Sequence, residues 1–105
     1  SDPFDLQSQE RAKASRNTQT RLIKESVESD FKWLLAGKRG RRIVWWLLEE
    51  AGVFNISFSN NAMVMAFNEG NRNFGNKVFS LISKVAPEAF ALMQKEAKAA
   101  DENLQ

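Results

Sequence analysis

The chain contains no cysteine, no histidine and no tyrosine, and only two prolines and five glycines among 105 residues. Without a thiol or an imidazole it has no thiolate nucleophile, no imidazole base, no zinc-finger or haem ligand of the usual types, and no disulfide framework. Most enzyme mechanisms open to so short a chain are thereby excluded, and a non-enzymatic protein without a resident cofactor is expected. Carboxylates, lysines and hydroxyls remain, so a carboxylate-bound Mg²⁺ or Ca²⁺ is still chemically open. No apolar run approaches the ~20 residues of a membrane span, and residues 1–10 have neither a basic n-region nor an apolar h-region, so a soluble, cytoplasmic protein is expected. The scarcity of glycine and proline, with 43% hydrophobic and 27% charged residues, predicts a chain that mostly folds, and its length allows a single core.

The net charge of +2 is small, but it is unevenly placed. Residues 1–30 hold five basic and six acidic groups, residues 31–86 hold eight and three, and residues 87–105 hold two and four. The centre is thus basic between acidic ends, which suits either a solvated helix face or contact with nucleic acid or an acidic protein surface.

Residues 2–21 contain only Phe4 and Leu6 as large apolar side chains. Burial alone does not offset the ordering of such a segment, so residues 1–21 read as an arm, either mobile or helical once settled on a partner. From Leu22 onward a single helical domain is expected. Ile23, Val27, Phe31 and Leu34 form one helical stripe, predicting a helix over 22–36 that stops at Gly37. A second helix over 39–51 closes at Gly52, with Ile43, Val44, Trp46, Leu47, Leu48 and Ala51 on one wide apolar arc. Residues 53–59 alternate, predicting an extended segment that lays Phe54, Ile56 and Phe58 on the core. Met63, Phe67, Gly70, Phe74, Val78, Leu81 and Val85 follow a 3.6-residue period. They predict one long helix over 61–86, capped by Asn60 or Asn61, which must kink near Gly70 or protrude and be covered. Pro87 opens a last helix over 88–100. The expected fold is all-α.

Three groups of residues carry candidate chemistry. Lys38, Arg39, Arg41 and Arg42 stand at a helix N-terminus, where the dipole disfavours cations, and Trp45 projects to their side of the helix. An acidic protein or a phosphate backbone with a stacked base suits that set, against solvated arginines and a Trp45 packed within the chain. Glu50 lies inside the apolar arc and needs a cation if buried; Arg72 is its candidate mate in a structural ion pair. Gly70, Asn71 and Gly75 interrupt an apolar helix, and mid-helix glycine is unfavourable by roughly 0.5–1 kcal/mol, so close helix packing is expected there. Beyond these, three Trp and eight Phe are many for one small core. The surplus points to self-association or docking on a larger assembly.

Two stretches run from Asp30-Phe31-Lys32-Trp33-Leu34-Leu35 through Gly40-Arg41-Arg42-Ile43-Val44-Trp45 to Glu49-Glu50-Ala51-Gly52-Val53-Phe54, and from Phe67-Asn68-Glu69-Gly70-Asn71 to Arg72-Asn73-Phe74-Gly75. With the opening Ser1-Asp2-Pro3-Phe4-Asp5 they resemble a family of small proteins of short-tailed, podovirus-type bacteriophages and their prophages, over about residues 1–95. The resemblance brings no catalytic or binding residue with it. It implies a phage origin, a gene near the portal and capsid genes, and a small virion structural or assembly protein, found in the virion and in the host cytoplasm during assembly. The expected partners are portal, capsid or tail proteins and further copies of the chain. A nucleic-acid-binding module centred on Arg39, Arg41, Arg42 and Trp45, and a binder or inhibitor of a host protein, remain the alternatives.

Overall fold

Asp2 accepts a hydrogen bond from the Phe4 amide at 2.9 Å and caps a helix whose first residue is Pro3, a position whose amide would have no acceptor within the helix. This helix, α1 (Pro3–Ala36), runs 34 residues in the computed structural model, which describes residues 2–104. Residues 3–36 contain no glycine and are rich in Gln, Glu, Lys, Arg and Ala, so intrinsic propensity and cooperative length sustain the helix without burial. The segment 3–21, read from sequence as an arm or as a helix settled on a partner, is helical, and α1 rather than the 61–86 segment is the longest element. The chain divides into two units at Asp30. In the first, residues 2–27 are exposed, including Ile23 and Val27, which the sequence places on a core-facing stripe. Only the continuation of that stripe, Phe31, Leu34 and Leu35, reaches a core, that of the second unit.

The second unit contains the end of α1, α2 (Lys38–Glu50), α3 (Ala62–Val85) and α4 (Ala89–Leu104), with no strand among the described residues. Gly37, extended at φ −101° and ψ 146°, separates α1 from α2. At the other end of α2, Gly52 takes φ 76°; its amide donates to the Glu49 carbonyl at 3.0 Å, and the Val53 amide donates to that of Leu48 at 3.2 Å. This paired closure needs a left-handed residue, which glycine supplies without strain. The Asn61 side chain caps α3, accepting from the Met63 and Val64 amides at 2.9 and 3.2 Å. Asn61→Ala is expected to destabilise the unit by about 1 kcal/mol, read as a lowered midpoint in thermal or urea unfolding.

Leu35, Val44, Leu48, Ile82, Ala86, Ala89 and Met93 form the core, where α2 packs on α3 and α4. An aromatic group closes one side: Trp45 stacks on Phe54 at 4.8 Å between ring centres, and Phe90 meets Phe79 edge-on at 4.8 Å. Residues 53–59 do not lay three apolar side chains on that core. Ile56 and Phe58 are exposed and Ser57 is buried. The Schellman-type closure of α2 and a following turn, Asn55 amide to Gly52 carbonyl at 3.1 Å, set the facing of the segment, and no neighbouring strand holds it in the expected register. α3 runs unbroken past Gly70 and has no buried residue before Gly75.

Candidate functional site

The basic cluster is divided by the fold. Arg41 points inward: its Nε donates to Glu96 Oε1 at 2.8 Å, and its Nη1 donates to the carbonyls of Leu35 and Ala36 at 3.0 and 2.9 Å. These two carbonyls belong to the last turn of α1, which has no helical amide to satisfy it and carries the negative end of the helix dipole. The cation that is unfavourable at the start of α2 is therefore favourable at the end of α1. An external anion is not needed to explain Arg41, and for this residue the dipole mismatch seen in the sequence is resolved within the chain.

Lys38 and Arg42 stay exposed. With Trp45, Leu92, Lys95 and Ala97 they line a groove of about 350 Å³ between α2 and α4. Arg39 does not line that groove; its position along α2 matches Ile43, Trp46, Leu47 and Glu50, at offsets of 0, 4, 7, 8 and 11. All five of these residues are exposed. Trp45, expected to be the free aromatic, is half-buried against Phe54 and Phe90, whereas Trp46, expected on the core, is 56% exposed. The cause is Gly40. It is buried against α1, and a side chain there would collide with the Leu34 carbonyl oxygen. Its missing Cβ lets the two backbones close up and turns the Gly40, Val44 and Leu48 line of α2 inward.

The Glu50–Arg72 pair does not form. Glu50 lies on the exposed side of α2 and needs no mate, while Arg72 Nη1 lies 3.7 Å from Glu69 Oε1 on its own helix and its Nε is buried without an acceptor. The two glycines of α3 also part company. Gly75 is buried, and a Cβ there would meet the Val53 side chain and lie 2.7 Å from Ala51 Cβ, so the expected close packing is found at this position. At Gly70 a Cβ would meet nothing within 4 Å, and Asn71 is exposed beside a polar cleft of about 200 Å³ that Glu50 and Asn68 also line.

Two apolar faces are exposed; the sequence offered the one on α3 as one of two outcomes, a protruding helix to be covered, and missed the one on α2. On α2 it is Ile43, Trp46 and Leu47, at 54%, 56% and 48% exposure; on α3 it is Met63, Phe67 and Phe74, at 83%, 68% and 66%. Their periodicity is plain in the sequence, but a stripe does not say whether its own chain covers it. Among the described residues no three acidic groups gather as a metal site, and no helix is long and apolar enough to cross a membrane.

Residues 31–95, more than half of the chain, match the family described as Bbp19-like phage proteins. The chain belongs to this family. The match begins at Phe31, where the second unit begins, and holds α2, α3 and both exposed faces; it includes Arg41 and ends at Lys95, one residue before its partner Glu96. Residues 1–30 lie outside it. No curated protein and no solved structure matches the chain.

Proposed function

We propose that this phage protein is a non-enzymatic component of a short-tailed bacteriophage particle or of its assembly, acting through protein–protein contacts in the portal or head–tail region. The observation that carries the reading is the exposure of Trp46, Phe67 and Phe74 with their apolar neighbours on ordered helices of the family-matched unit. Large side chains held on helices lose little freedom on binding, and exposed apolar surface of this extent is what docking on a larger assembly buries. The family match supports the phage setting, and the chain's lack of cysteine and histidine supports contact rather than catalysis. Mass spectrometry of purified virions and of assembly intermediates tests it. The protein is expected in one of the two at a fixed copy number, and its absence from both overturns the reading.

A second reading rests on the groove. Lys38, Arg42 and Lys95 have no ion pair among the described residues, so a phosphate backbone is a chemically suitable occupant. Arg42→Glu is the clean probe, since Arg41 belongs to the fold. DNA binding that weakens linearly in log–log salt and is lost in that variant favours this reading over the first.

A further inference from the structure

Gly70 is a glycine that its own fold does not use. It sits inside an unbroken α3, its φ is not positive, and a Cβ there meets open space, unlike Gly40 and Gly75, whose missing side chains admit a neighbouring backbone or side chain. A glycine in mid-helix weakens the helix, so nothing within the chain compensates for its presence. It also lies at the centre of the exposed stripe. Met63, Phe67, Gly70 and Phe74 fall at offsets of −7, −3, 0 and +4 on one face, with Lys77 at +7.

We infer that α3 is the self-association surface of the protein: a second copy packs its own α3 antiparallel across this face, the two helices crossing at Gly70. The inference deepens the contact reading above and shares its premise that the exposed faces bind protein. The near-symmetric spacing about Gly70 is what a two-fold contact requires, because each residue must meet its counterpart in reverse order. In such a crossing Phe67 of one copy meets Phe74 of the other, and Met63 meets the aliphatic stem of the other's exposed Lys77. The missing Cβ at position 70 lets the helix axes approach, so that the four phenylalanine rings close around the crossing. No acidic group shares the stripe, since Glu69 is turned aside and paired with Arg72. At their observed exposures Met63, Phe67 and Phe74 leave about 430 Å² uncovered per copy, and the exposed Lys77 raises this to about 500 Å²; burying them on both gives about 1,000 Å², the size at which a specific contact becomes possible.

The test is sedimentation of the full chain over a wide concentration range, alongside thermal unfolding at the lowest concentration. Wild type is expected to dimerise. Gly70→Ala is expected to weaken the dimer about tenfold while raising the monomer's melting temperature by about 4 °C, because alanine is the better helix former where space is open. Gly70→Leu and Phe67→Ser are expected to be monomeric, and both are folded by circular dichroism because neither site is buried. Opposite signs on association and on monomer stability are the signature, which a merely structural role of Gly70 would not produce. A monomeric wild type overturns the inference, as does a dimer that survives Gly70→Leu or one that is lost instead on Trp46→Ser. These measurements use purified protein alone, so they stand or fall separately from the presence of the protein in virions.

Discussion

Replacing Arg41 by alanine is expected to lower the stability of the second unit by about 3 kcal/mol, or roughly 15 °C in melting temperature for a domain of this size. The side chains of Arg41 and Glu96 are 12% and 18% exposed, so removing the guanidinium strands a carboxylate that water reaches poorly. It also frees two carbonyls at the end of α1, and the loss is therefore larger than that of an exposed ion pair, for which about 0–1 kcal/mol is usual. Arg41→Lys is expected to recover only part of the loss. An ammonium does not reproduce the guanidinium fork that reaches Glu96 from one nitrogen and two backbone oxygens from another. A cycle with Glu96→Ala separates the contributions in urea unfolding: in the Arg41→Ala background the second substitution is expected to cost little, since the stranded charge leaves with it. Strict additivity of the two substitutions would contradict this account.

The other large effect is expected at Gly40. Alanine there places a Cβ against the Leu34 carbonyl oxygen and carbon and the Leu34 Cδ1 atom, and backbone yields far less readily than a side-chain tip. The expected outcome is a loss of about 3 kcal/mol, although alanine favours a helix over glycine by nearly 1 kcal/mol elsewhere. The comparison with Gly70 makes the test internal to the protein. The same substitution in two helices is expected to shift the melting temperature of the dilute protein in opposite directions, down at position 40 and up at position 70. Equal shifts at the two sites would show that the contact of α1 with α2 does not depend on close backbone approach.

Arg41 and Gly40 also show where reading the sequence stops. A run of Lys38, Arg39, Arg41 and Arg42 looks like one binding patch, because charge and position are all that the sequence records. The fold divides the members: a helix end and Glu96 for Arg41, a groove for Lys38 and Arg42, and for Arg39 the exposed face of α2 that also carries Trp46. Trp45 and Trp46 exchange roles for a related reason. The apolar arc of α2 is wide enough for two orientations, and Gly40, which stands within the basic run at the start of the helix, selects between them. The N-terminal segment was ambiguous on a different ground. Its lack of apolar residues rules out burial, but a helix satisfies its backbone bonds from within, so residues 3–21 are helical while exposed.

By itself the sequence determined the all-α class, the α2 closure at Gly52, an asparagine cap at position 60 or 61 and the surplus of aromatic surface, since each depends on backbone preference, periodicity or count. It also determined what chemistry is absent, through the missing cysteine and histidine. Only the tertiary structure decided which side of each amphipathic helix meets the core, which glycines admit a neighbour and which stands open, and that Arg41 serves the fold. Those outcomes depend on contacts between residues distant along the chain. Helical periodicity places side chains on a common face, but only packing chooses which face is covered.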